Sequence, residues 1–358
     1  MKNLYKLLII FFLIPIVAIG TNGKGKYTET KTISEEFNVN SDATLHVKNK
    51  YGNIDVISWN EQRIVMDIKI TANGNDEEKV RKRLEEITVD FDANSSNVSA
   101  TTIINKSSKS WSLWGKKNNV NIQIDYVIKI PITNNVDLNN DYGGIQIDKL
   151  DGRATINCDY GNLNIGELNN SQNDINIDYT NKSNIDFIRN GKINADYSTL
   201  HVENSGSLEL NADYTHLTFG SFDKLDFNCD YGSLKIDTAG SINGNCDYTH
   251  ITINELNDSG SFNVDYGSIK VNELGSTINS LIVDSSYTQL KFGLNSNATF
   301  DITANLSYGG LKYTDGFTMN KEIVKSSSKY YEGYFGSQNS GNDINITSRY
   351  GNITFTNN

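Results

Sequence analysis

Proline is almost absent. Of 358 residues only Pro15 and Pro131 are proline, where about 5 % would be ordinary. Since proline breaks backbone ladders, the scarcity suits long uninterrupted sheet pairing. Cysteine is nearly as rare: Cys158, Cys229 and Cys246 form an odd number. They show no CxxC or Cys/His spacing, which argues against a disulfide framework and against a metal cluster. Histidine is limited to His46, His201, His216 and His250. No Gly-x-Ser-x-Gly elbow, phosphate loop or His-Glu-x-x-His motif accompanies them.

Long apolar runs are missing after the first 20 residues. Lys2 and Lys6 precede the apolar stretch Leu7 to Gly20, interrupted by Pro15 and followed by small and polar residues. This reads as a cleaved export signal over residues 1–20, too short for a membrane anchor. Its removal takes away two Lys and no acid, moving the net charge from −11 to −13. Such an acid excess excludes nucleic acid as a partner. Spread along the chain, it implies a solvated surface. The expected location is outside the cytoplasm: periplasm, outer cell surface or secreted.

What the chain has in abundance is repetition. "NCDYGNLNI" from Asn157, "NCDYGSLKI" from Asn228 and "NCDYTHITI" from Asn245 are near copies. The tyrosine recurs as Tyr142, Tyr160, Tyr179, Tyr197, Tyr214, Tyr231, Tyr248, Tyr266, Tyr287, Tyr308 and Tyr350, at intervals of 18, 19, 18, 17, 17, 17, 18, 21, 21 and 42. An outlying copy, "YGNIDV", begins at Tyr51. The interval of 42 reads as two periods, with one rung lacking its tyrosine or carrying an insertion.

Apolar and polar residues alternate on both sides of each tyrosine, as in Leu208, Leu210 and Ala212 before it or Leu234 and Ile236 after it. These are half-buried strands. The odd step of three from tyrosine to the next apolar residue demands a bend, expected at Gly161, Gly232 and Gly267 or at Thr180, Ser198, Thr215 and Thr249. One such unit cannot bury its apolar face alone. Stacking like strands in parallel, about 4.8 Å apart, makes one continuous core. The predicted fold is therefore all-β, a parallel β-solenoid with rungs of about 17–21 residues. Residues 136–358 carry the rungs, with an insertion at about 315–342. Residues 27–135 are less regular and cap or start the stack. They hold one helix, predicted over 76–87 with Asn75 as N-cap and Glu78 as capping-box partner, and with Val80, Leu84 and Ile87 facing inward.

From Asp141 to Asp265 an aspartate precedes the tyrosine in eight rungs, Asp159 and Tyr160 among them. Two roles are open: each Asp closes its own turn by bonding nearby backbone amides, or the row binds calcium. Turn closure is the expectation, because the Gly-Gly-x-Gly-x-Asp calcium nonapeptide is absent. The cysteines all lie two residues before a tyrosine, a core-filling position, and are expected to be free thiols. No cofactor or metal site and no catalytic residue is predicted.

Two aromatic stretches break the pattern. "NKSSKSWSLWGKKNN" holds Trp111 and Trp114 among lysines, and "KYYEGYFG" holds Tyr330, Tyr331, Tyr334 and Phe335. Both are candidate contacts for a cell-surface glycan or envelope protein, against the alternative that they fold back onto the solenoid.

The "YGNIDV" start, the serial Tyr-Gly-x-[Ile/Leu]-x-[Ile/Val] rungs and the ending "YFGSQNSGNDINITSRYGNITF" together resemble the DUF4097 adhesin family of bacterial β-strand-repeat proteins, related to the DUF2807 head-domain adhesins. The similarity covers about residues 27 to 358. The resemblance implies a non-enzymatic, exported adhesin or surface scaffold and carries over no catalytic residue. The alternative function is a carbohydrate-active β-helix that binds or cleaves an extracellular polysaccharide. That role requires acids and a basic partner converging at one rung, which the evenly spread Asp row does not offer.

Overall fold

The computed structural model describes residues 25–105 and 120–357. The export signal over residues 1–20 and the segment with Trp111 and Trp114 lie outside the described residues. The rest is nearly all strand, with one helix among the described residues. Parallel rungs stack as a solenoid, and two compact units divide the chain after Leu168.

In the first unit, Thr44–Lys50 lies parallel to Asn135–Asp141, and that strand to Ala154–Asp159, in unbroken register. Ile54–Trp59, Ile145–Leu150 and Leu163–Leu168 form a second parallel row. The chain builds a cap from the strand before its first rung and from the segment between its first and second rungs. Tyr27–Asn38, Arg63–Gly74 and Asn121–Pro131 pair antiparallel, and the hairpin of Ile87–Ala93 with Asn97–Ile104 lays its second strand parallel to Thr44–Lys50. The terminal rung thus has no open edge there, which protects it from pairing with another chain.

The helix runs from Glu77 to Glu85 and packs on the cap strands, burying Val80 and Leu84. It is shorter than expected, because Ile87 already opens the next strand. Its N-cap is Asp76, not Asn75: Asp76 is extended and its carboxylate accepts from the Lys79 N–H at 3.2 Å. Asn75 instead accepts from the Lys26 N–H. The cap strand Asn121–Pro131 contributes Tyr126, fully buried, whose hydroxyl lies 2.7 Å from Thr102 Oγ1. Thr102 donates to Asn49, and Asn49 to the Ile124 carbonyl, so these three side chains satisfy one another.

In the second unit the two short strands expected per rung merge. Ser183–Asp196, Thr199–Asp213, His216–Asp230, Ser233–Asp247 and His250–Asp265 are each one long strand, running from one tyrosine to the next. The first four pair in parallel with their successors, 17 or 18 residues on, and His250–Asp265 pairs with Ser268–Leu274 and Ser280–Ser286. The alternating residues Leu208, Leu210, Ala212, Leu234 and Ile236 are all buried, as their spacing predicted.

The C-terminal order departs from the simple reading of the 42-residue interval. Asp343–Arg349, the strand that leads into Tyr350, slots between Ser280–Ser286 and Phe300–Ser307, parallel to both. No rung is missing, and the last rung in sequence is the penultimate one in space. The intervening hairpin, Phe317–Val324 with Ser328–Phe335, pairs antiparallel on the far side of Phe300–Ser307. Phe300–Ser307 is thereby hydrogen-bonded on both edges, and the outer edge passes to the hairpin.

Candidate functional site

The feature that dominates the surface is made at the corners. Tyr51, Tyr142, Tyr160 and the nine other repeat tyrosines all adopt positive φ, between 50° and 66°. Left-handed backbone costs an L-residue about 1–2 kcal/mol, so a bulky residue there needs compensation. The bend therefore falls on the tyrosine itself, not on the following Gly, Thr or Ser as the spacing suggested. Those following residues form the inner side of the corner instead. Thr180, Ser198, Thr215, Thr249 and Thr288 are buried there. Thr215 Oγ1 lies 2.8 Å from the Ala195 carbonyl of the preceding rung, and Thr249 Oγ1 lies 3.1 Å from that of Cys229. A Cβ at Gly232 or Gly267 would run into the carbonyl oxygen of Thr215 or Thr249.

Turned outward, the tyrosine rings stack. In the first unit Tyr51, Tyr142 and Tyr160 follow one another at centroid distances of 5.3 and 5.0 Å. In the second, nine rings run in the order Tyr179, Tyr197, Tyr214, Tyr231, Tyr248, Tyr266, Tyr287, Tyr350, Tyr308. Their spacings lie between 4.7 and 5.0 Å and their planes within 7° of parallel. The rings stay about half exposed. Stacking occupies the ring faces, so what an interior tyrosine offers a partner is its edge and its hydroxyl. Tyr308, the last ring, is the most exposed at 63 %.

Polar rows flank the ladder. Asp196 Oδ1 accepts from the Asp213 N–H at 3.1 Å, and Asp230 Oδ1 from the Asp247 N–H at 2.9 Å. These carboxylates bond the next rung rather than closing their own turn, because in-register parallel strands bring the neighbouring amide within reach. Burial first, and then the neighbouring carboxylates, push Asp178 and Asp247 above the ordinary aspartate range. Among the described residues no cluster of three or more His, Cys, Asp or Glu side chains is arranged to hold a metal ion.

A second row escaped the sequence reading, although its signal is plain in retrospect: asparagine recurs three residues before the tyrosine. Asn194 donates to Asn176 at 2.6 Å, Asn211 to Asn194 at 3.0 Å and Asn263 to Asn245 at 2.7 Å. On the opposite flank, His216 Nδ1 lies 2.9 Å from Ser233 Oγ, and His250 Nδ1 lies 2.9 Å from Ser268 Oγ.

Of the predicted contact residues, the four described ones do not all face solvent. Tyr331 and Phe335 turn inward and are buried. Phe335 sits 5.5 Å from the Phe300 ring and 5.1 Å from Phe317. Tyr330 faces outward, donates to Glu332 at 2.6 Å and has Lys321 over its ring at 5.2 Å. Tyr334 is half-buried. One depression in the second unit, lined by Lys224, Asn243, Ser261 and Ile282 among others, holds about 170 Å³. That is below the ~300–1,000 Å³ usual for small-molecule sites.

The three cysteines are free and buried. Cys229 and Cys246 are register neighbours. Burial pushes the Cys158 and Cys246 thiols up to about 12 and the Cys229 thiol higher still, which removes them from nucleophilic chemistry.

No family model matches the chain, and no curated protein matches it. Solved structures do. A "putative cell adhesion protein" from Clostridium sporogenes is 12 % identical, with 92 % of this chain and 100 % of that chain covered at a TM-score of 0.16. A "putative adhesin" from Bacteroides fragilis is 10 % identical, with 92 % and 97 % covered at a TM-score of 0.26. Another from Parabacteroides merdae is 9 % identical, with 91 % and 96 % covered at a TM-score of 0.32. At such identities and TM-scores the likeness carries no statement about activity.

Proposed function

We propose that this chain is an exported, non-enzymatic β-solenoid of the adhesin kind, a DUF4097-type protein of the periplasm, outer surface or secreted fraction. It binds a cell-surface glycan or an envelope protein along its repetitive face. The observation that supports this is the nine-ring tyrosine ladder. Twelve tyrosines hold a left-handed conformation that glycine would adopt without strain, and their rings stay exposed. Aromatic rows beside hydrogen-bonding side chains suit an extended partner held by many weak contacts along its length. The helix-and-strand cap of the first unit and the C-terminal hairpin of the second each cover an edge that would otherwise pair with another chain. Trp111, Trp114 and the outward-facing Tyr330 and Tyr334 form a second candidate contact in this reading.

Whole-cell and glycan-array binding by the full chain tests it. A variant with Tyr197, Tyr214, Tyr231 and Tyr248 changed to asparagine, which tolerates positive φ, should lose binding. A second variant with Trp111, Trp114, Tyr330 and Tyr334 changed to serine measures the loops. Equal binding by the tyrosine variant and the unaltered chain would refute the ladder as the contact face.

A further inference from the structure

The ladder repeats every rung, but over the four rungs from Asp213 to Ser268 the chemistry beside it repeats every second rung. "DYTH" spans Asp213–His216 and Asp247–His250, and "DYGS" spans Asp230–Ser233 and Asp265–Ser268. In the first kind of rung the aspartate and the histidine are exposed. In the second kind the aspartate, glycine and serine are half-buried. A Cβ at Gly232 or Gly267 would run into the carbonyl oxygen of the threonine in the rung before it. The serine of that glycine rung then holds Nδ1 of the histidine beneath it. Among the described residues, nothing hydrogen-bonds Nε2 of His216 or of His250. Like groups thus recur two strand spacings apart, about 9.6 Å.

The turn does not require this pattern. Lys50, Ser286, Ser307 and Arg349 occupy the aspartate position before tyrosines of the same conformation. Nor are the acids neutralised within the fold. Among the described residues, no hydrogen bond or ion pair engages the carboxylates of Asp213 and Asp247, and like charges one strand spacing apart repel. Local conflicts of that kind mark surfaces kept for binding.

Resting on the adhesive reading above, we propose that the Asp213–Ser268 face binds an extended β-1,4-linked amino-sugar polymer with free amino groups, lying parallel to the tyrosine ladder. Successive sugars of such a chain face opposite ways, so its like groups recur every second sugar, as the exposed aspartates recur every second rung. Its ammonium groups complement Asp213 and Asp247. Its hydroxyls meet the tyrosine edges and hydroxyls, His216, His250 and the asparagine row. Face-on stacking of sugars against the interior tyrosines does not contribute, because the ring faces are taken.

Titration calorimetry of the full chain with the β-1,4-linked glucosamine hexamer, its fully N-acetylated counterpart, cellohexaose and hexalysine tests the assignment. The glucosamine hexamer should bind at least tenfold more tightly than the acetylated and neutral sugars, and more tightly than hexalysine. Asp213→Asn with Asp247→Asn should weaken it at least tenfold, and Asp230→Asn with Asp265→Asn much less, with folding of both variants checked by circular dichroism. Equal binding of hexalysine reduces the effect to bulk charge and overturns the polymer class. Equal losses in the two double variants overturn the two-rung period. Cell binding by the unaltered chain without hexamer binding overturns this inference and leaves the adhesive role standing. Loss of neither cell nor hexamer binding in the four-tyrosine variant overturns the role of the ladder in both.

Discussion

Replacing Tyr248 with alanine removes ring contacts on both sides, to Tyr231 at 4.8 Å and to Tyr266 at 5.0 Å. Aromatic pairs contribute about 0.5–1.5 kcal/mol each beyond area burial, and half-exposed rings belong at the lower end. The alanine variant should therefore lose about 1–2 kcal/mol. Tyr248 has φ of 52°, so glycine at this position recovers about 1 kcal/mol of backbone strain. Tyr248→Gly should then be less destabilising than Tyr248→Ala, even though it deletes the same ring. Tyr248→Phe keeps both stacks and should be close to neutral. Tyr308 ends the ladder with one contact, to Tyr350 at 4.9 Å, so Tyr308→Ala should cost about half as much as Tyr248→Ala. Because stacked repeats behave as sums of neighbour terms, amide exchange should register the loss in Ser233–Asp247 and His250–Asp265 before remote rungs. Glycine proving worse than alanine would refute the strain argument. Equal costs at Tyr248 and Tyr308 would refute stacking as the compensation.

Three further outcomes follow from the geometry. Asp247 has a folded pKa above its unfolded value, so its ionised form weighs against folding above that folded pKa, and the penalty disappears as pH falls below the unfolded value. Asp247→Asn should accordingly raise the Tm at pH 7 and leave it unchanged near pH 3; a rise at both pH values would place the effect elsewhere. Gly232→Ala drives a methyl into the Thr215 carbonyl and should cost about 1–3 kcal/mol in denaturant unfolding, whereas an unchanged midpoint would mean that the corner relaxes freely. Thiol titration without reductant should detect no reactive cysteine in the folded chain and three after unfolding; finding one after unfolding would reveal a disulfide.

Much of the fold was legible because it is repetitive. A residue at a given phase in one rung meets its equivalent in the next, so the tyrosine interval alone predicts partners such as Cys229 and Cys246 or Asn211 and Asn228. The candidate site was legible only in outline. That Tyr160 and Tyr231 form ladders followed from register. That they are the left-handed residues did not, since propensity assigns such corners to glycine and asparagine. The aromatic hairpin shows the reverse case: Tyr331 and Phe335 read as a surface cluster, yet strand alternation turns both inward onto Phe300–Ser307.

What the sequence determined by itself is the period, the inward face and the parallel register, because each is set by local alternation and by identity between neighbouring copies. The tertiary structure alone decided the order of rungs at the ends and the reach of the aspartates. Asp343–Arg349 enters between two earlier rungs because hydrogen bonds on both its edges are better satisfied there than on an open end, and pairing with a strand that begins at Ser280 leaves no mark in a 17-residue pattern. Asp196 and Asp230 bond the next rung because stacking brings that amide closer than any in their own turn.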